Sequence, residues 1–146
     1  MSNELSAAIL RRILDDVKSN GGTFGPEHGA MMMSIHHSEP DMLMFQAAVE
    51  LVEKARVTRI VASSSGRALV RVAAPSHGGT NAMYICFTHY CSCDAFYETT
   101  VHSRLTMCKH MLAALIADAT GKMQLVQVAD TEFANLMCPE DVPHAT

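Results

Sequence analysis

From Leu5 to Val17 the apolar positions recur at helical spacing. Ile9, Leu10, Ile13, Leu14 and Val17 fall on one side, with Arg12 and Asp16 off it. The spacing predicts an amphipathic helix whose stripe covers a core, and the same stripe would suit docking on a partner. The periodicity then stops. Asn20 to Pro40 carries Gly21, Gly22, Gly25, Pro26, Gly29 and Pro40, which predicts a mobile loop. Within it, Met31-Met32-Met33 offers adaptable packing or a soft docking surface. His36 and His37 are poor joint metal ligands, because adjacent side chains on an extended segment point to opposite faces. Helical spacing resumes after Asp41, taken as N-cap, with Met42, Phe45, Val49 and Val52 as the stripe and Glu50, Glu53 and Lys54 beside it.

Alternation replaces helical spacing in the middle of the chain. Val57 to Ala62 sets Val57, Arg59 and Val61 against Thr58, Ile60 and Ala62. After the turn Ser63-Ser64-Ser65-Gly66, Arg67 to Ala74 alternates again, so the two segments predict a β-hairpin. The loop Pro75 to Asn81 leads to a third strand, Met83 to Thr88, with Met83, Ile85 and Phe87 on one face. Cys108 opens a helix in which Met111, Leu112, Leu115, Ile116 and Ala119 recur at helical spacing, and Gly121 ends it. Met123 to Val128 predicts a short strand, Asp130 to Met137 a last short helix, and Pro139 to Thr146 a frayed tail.

Composition narrows the possible functions. The 146 residues are 49% hydrophobic, enough for one core, and their net charge of −4 argues against coating nucleic acid by electrostatics alone. Trp is absent and aromatics are scarce, so no stacking platform for single strands is evident. Cys86, Cys91, Cys93, Cys108 and Cys138 are odd in number and clustered, unlike a secreted disulfide framework. The opening Met1-Ser2-Asn3-Glu4-Leu5 is not a signal peptide, and no apolar run suits a membrane span. Together these predict a soluble protein of a reducing compartment, cytoplasm or nucleus.

The chemistry lies in Cys91-Ser92-Cys93 and Cys108-Lys109-His110. A structural zinc site takes four thiolate or imidazole donors in a tetrahedron. Cys91 and Cys93 lie two apart, so an extended segment turns both thiols to one side. Inside a regular helix, residues two apart diverge by roughly 200°. Cys108 must therefore stand at the helix entry with His110 in the first turn, where the helix N-terminus favours thiolate charge. The spacer Asp94 to Met107 must loop out and return, with Phe96 packed beneath the metal and Glu98 to Leu105 as the exposed excursion. Cys86 could exchange with Cys91, and His89 or His102 with His110. Cys86 is otherwise a small packed residue and Cys138 has no evident partner. Four protein donors close the site, which makes it structural.

Gly121-Lys122-Met123 lacks the glycine and hydroxyl residues of a phosphate loop, and no zinc-deaminase signature is present. The expectation is therefore no enzyme. The expected architecture is α+β: a three-stranded antiparallel sheet, helices on one face, and zinc where the third strand meets the Cys108 helix. The chain divides into residues 1–40 (helix and Gly/Met-rich loop), 41–138 (zinc-finger domain) and 139–146 (tail).

Cys-x-Cys, a spacer and Cys-x-His at a helix start resembles the SWIM zinc finger. His89-Tyr90-Cys91-Ser92-Cys93-x-Ala95-Phe96 and Leu105 to Ala113 are similar to the small SWIM-domain subunit of the Shu complex, as are Ala62 to Arg67 and Leu125 to Asp130. The likeness covers roughly Phe45 to Met137 and carries over Cys91, Cys93, Cys108 and His110 as ligands. Asp94 departs from it, since many SWIM sequences have proline there, which loosens the turn but leaves ligation intact. The resemblance implies a nuclear, non-enzymatic subunit that pairs with a RecA-like ATPase paralogue. Such a pair assists a RecA-family recombinase on single-stranded DNA in homologous recombination repair and meiosis. The alternative is a SWIM module that binds DNA directly, as transposase-related and chromatin factors do, through Arg56, Arg59, Arg67, Arg71, Arg104 and Lys109.

Overall fold

A computed structural model describes residues 3–35, 38–75, 81–96 and 107–137. His36, His37, the Glu98 to Leu105 excursion with His102 and Arg104, Cys138 and the tail lie outside these residues.

Helix α1 runs Asn3–Ser19. Its predicted stripe is core: Leu10, Ile13, Leu14 and Val17 are all buried. The expected loop from Asn20 to Pro40 instead contains a second helix, α2, Pro26–Ile35. Pro26 fits a helix start, where its missing N–H costs nothing. Buried His28 turns its Nδ1 back to accept the Gly25 N–H at 2.9 Å. Met32 and Ile35 are buried, whereas Met33 stands 60% exposed.

Helix α3, Glu39–Glu53, begins earlier than expected. Ser38, not Asp41, is the N-cap, and its Oγ accepts the Asp41 N–H at 3.3 Å. Pro40 lies in the first turn, where it is tolerated. The buried face of α3 is Ala48, Leu51 and Val52, with Met44 packed beside it. Of the predicted stripe only Val52 is fully buried; Phe45 and Val49 are half-buried and Met42 is exposed.

The strands are β1 (Val57–Ala62), β2 (Ala68–Pro75), β3 (Asn81–Phe87), β4 (Tyr90–Cys91) and β5 (Gln124–Val128). They form one five-stranded sheet in the order β4-β3-β2-β1-β5. The class is α+β as expected, but the sheet has five strands, not three. A two-residue edge strand, β4, pairs antiparallel with β3. At the other edge β5 pairs with β1 in parallel, Thr58 opposite Gln124, so the sheet is mixed.

Helix α4, Lys109–Thr120, runs through the centre of the helical layer, with Leu112, Ala113 and Ala117 fully buried. It packs on both α1 and α3. Gly121 ends it with φ 71°, the left-handed value that suits glycine. Gly22, at φ 84°, lies against the same helix end; a Cβ there would meet the Thr120 carbonyl oxygen at 2.9 Å.

Not all helices share one face. Val57, Val72, Ala74, Cys86 and Cys91 join α1 to α4 in the main core. Helix α5, Asp130–Met137, lies on the opposite face, where Phe133 packs with Ile60, Ala62 and Leu69. The alternation in β1 and β2 predicted two faces, and each has its own apolar cover.

Candidate metal centre

Cys91 stands at the end of β4, Cys93 two residues on, and Cys108 is the N-cap of α4 with φ −88° and ψ 172°. The extended backbone at Cys108 lets its thiol and the His110 ring of the first turn face the same point, as the spacing requires. All four residues are buried, and their donor atoms lie within 4.8 Å of one another. His110 Nδ1 is 3.7 Å from Cys91 Sγ and 3.9 Å from Cys108 Sγ. Donors about 2.0–2.3 Å from a tetrahedral zinc stand roughly 3.5–3.8 Å apart, so the cluster needs only slight contraction around an ion.

Burial sets the charge state of the metal-free cluster. The Cys91 thiol is favoured toward ionisation by Cys108, but Cys86 and burial outweigh this and push it up. Burial and the nearby Cys108 raise Cys93. Cys91 and burial raise Cys108 against the pull of the Met111 amide. Burial, with a smaller contribution from Lys109, holds His110 down at about 4. The imidazole is thus neutral and available as a donor, while a cation is needed to draw the protons off three thiols. His110 Nε2 is buried with no hydrogen-bond partner among the described residues.

Tyr84 completes the surroundings. Its ring stacks on His110 with centroids 4.2 Å apart at 28°. Phe96, expected beneath the metal, packs against the core that holds Cys91, Cys93 and Cys108 and meets the Tyr90 ring edge-on at 5.6 Å, while the ring stacked on His110 is Tyr84. Strand alternation could have identified it, since Tyr84 and Cys86 share the face that carries Cys91. Cys86 is outside the four-donor cluster but adjacent, its Sγ 3.6 Å from that of Cys91. His89 is exposed in the turn before β4 and is not among the donors.

The basic residues do not converge. Arg59 reaches Asp118 of α4 at 3.7 Å on the helical face. Arg67 lies over the Phe133 ring, 5.5 Å from its centroid, on the other face. Arg71 is opposite Thr58 and Ile85 in the register, also away from the helical layer. Arg56 and Lys109 are exposed, and Arg104 lies outside the described residues.

A Cys-x-Cys turn and a Cys-x-His helix start, brought to one buried point between strand and helix, define a zinc-finger type of site. Three curated relatives carry the corresponding name. The chain is 39% identical over 93 residues to "Zinc finger SWIM domain-containing protein 7" of Danio rerio, covering 62% of this chain and 63% of that one. It is 30% identical over 96 residues to the Homo sapiens protein of that name (64% and 65% covered) and 32% over 93 residues to that of Mus musculus (62% and 58%). The chain thus spans a little under two thirds of the length of the curated relatives it matches. No family model matches the sequence, and no solved structure matches it. The chain is similar to SWIM-type zinc-finger proteins.

Proposed function

We propose that Cys91, Cys93, Cys108 and His110 hold one zinc ion that fastens β4 to α4, and that the chain is the SWIM subunit of a Shu-type complex. On this reading it pairs with a RecA-like ATPase paralogue and supports a RecA-family recombinase in homologous recombination repair and meiosis. It works in the nucleus and reaches single-stranded DNA through the complex. The four buried donors on SWIM spacing carry the proposal. Four protein ligands leave no coordination position for water or substrate, which supports a scaffolding role over catalysis.

The surface supports a protein partner. An open groove of about 720 Å³ lies between α2, α3 and the end of α4, lined by Met32, Met33, Met42, Phe45, Val49 and Ile116. The partly exposed stripe of α3 is one wall of it. Divergent arginines give direct DNA binding less support. No described helix is long and apolar enough to cross a membrane.

Co-expression of the chain with the RecA-like paralogue of the same organism tests the reading. The expected result is a 1:1 complex with one zinc per chain, and Cys108→Ser should lose zinc and partner together. A chain that stays alone beside the paralogue would overturn the subunit role. Steeply salt-dependent DNA affinity of the isolated chain, measured by anisotropy, would favour the alternative.

A further inference from the structure

Among the described residues, Cys86 is the cysteine that the metal site leaves over. It is 3% exposed and sits on β3 directly opposite Cys91 on β4. The hydrogen bonding fixes the kind of pair. The Ser92 N–H donates to the Ile85 carbonyl at 3.0 Å, so Ile85 and Ser92 form a hydrogen-bonded position and the next pair, Cys86 with Cys91, a non-hydrogen-bonded one. Cα atoms of such pairs are about 4.5 Å apart, inside the range a disulfide spans. The two sulfurs are already 3.6 Å apart.

A second observation concerns access. Cys86 lines a pocket of about 270 Å³ that opens between α1, α4 and the sheet. Arg11 and Arg59 line it too, and the apolar residues Met111 and Leu115 form part of its wall. A molecule as small as a hydroperoxide fits such a space, whereas the four-donor cluster itself is enclosed.

We propose that Cys86 and Cys91 are a redox pair whose disulfide, formed by a hydroperoxide, removes a ligand from the metal. The inference rests on the zinc reading of the site. The Cys86 sulfur attacks one peroxide oxygen, the O–O bond breaks, and the departing hydroxide leaves as water with the thiol proton. Cys86 is then a sulfenic acid. The Cys91 sulfur leaves the metal and attacks the Cys86 sulfur, the S–O bond breaks, and hydroxide departs. Two electrons pass from the sulfur pair to the peroxide. Cys93, Cys108 and His110 remain as three ligands, and the zinc is released. A dithiol reverses the step by exchange, after which zinc can bind again.

The test uses the full-length chain, purified with its metal under reducing conditions and freed of reductant. Hydrogen peroxide is added, zinc release is followed with a chromogenic chelator, and linkages are mapped by mass spectrometry of non-reduced peptides. The expected result is a Cys86–Cys91 link formed in step with zinc release, both reversed by dithiothreitol and added zinc. Cys86→Ser and Cys86→Ala should retain zinc as purified and release it about tenfold more slowly. A link that joins Cys91 to Cys93 or Cys108 would overturn the proposal, as would release at the wild-type rate in either Cys86 variant. So would loss of zinc from both variants before any oxidant is added, since Cys86 would then be a ligand. If the purified wild-type chain holds no zinc, the metal reading fails. The peptide map still decides the redox pair, because its absence there overturns it.

Discussion

His110 presents Nδ1 to two sulfurs, and the Tyr84 ring covers one of its faces. A ring so enclosed resists protonation. Its folded value of about 4 lies below the ordinary 6.5. Below pH 6.5 the unfolded chain therefore takes up a proton that the folded chain refuses. The stability tied to His110 is present above pH 6.5 and is lost as pH falls toward 4, in all about 3 kcal/mol. A zinc ion held through Nδ1 would act in the same direction, because the imidazole would have to leave it before Nδ1 could be protonated. Denaturant midpoints from pH 7 to pH 4 should fall steeply in the wild type and more shallowly in His110→Ala. Metal analysis should separate the sulfurs: Cys91→Ser, Cys93→Ser and Cys108→Ser lose zinc, and Cys86→Ser keeps it. The four-donor cluster was legible because two-residue spacing has different consequences in a strand and at a helix entry. Tyr84 went unnoticed because alternation gives only its face, and the helix residue it meets, His110, lies across from β3 on α4.

Among the elements, α2 shows where periodicity fails as a guide. In α2 three methionines stand in a row, so a core position and an open one adjoin with the same chemistry and no apolar stripe emerges. The start of α3 was displaced because Ser38 and Asp41 are both cap residues, and only the Ser38 Oγ contact distinguishes them. Replacing Ser38 by Ala should cost about 1 kcal/mol, measurable by urea titration. Gly22→Ala should cost more than a cap, since the left-handed backbone and the Thr120 carbonyl both oppose a methyl group. Strand β5 is an edge without charge, proline or bulge, and its Leu125 is 71% exposed. Such an edge invites pairing with other chains. Leu125→Lys should leave the melting temperature within a few degrees of wild type and lower light scattering in concentrated samples.

For the whole molecule, one core joins α1 to the four-donor cluster: Leu10, Val17, Leu51, Leu112 and Cys91 belong to a single apolar cluster. Damage at any of these places should therefore spread. Leu112→Ala, at the centre, should cost about 2–5 kcal/mol. Zinc removal by a chelator should do more, on the order of 10 kcal/mol at neutral pH, and unfold the chain cooperatively in circular dichroism. Both the α+β class and the strand-to-helix position of the site were open to sequence reading, because alternation and helical spacing are local. The parallel docking of β5 and the placing of α5 on the far face depend on partners remote in the chain, and so did not show.

That parallel docking bears on how the protein is made. Thr58 meets Gln124 only after the intervening chain has doubled back, and the gap between Cys91 and Cys108 falls within that stretch. An ion that ties the two ends of this gap shortens the search and lets β5 find β1. A chain completed in a cell short of zinc would leave the β1 backbone edge bare beside Ile60 and Ala62, a template for pairing with its neighbours. Scarcity of the metal would then appear as insoluble newly made protein.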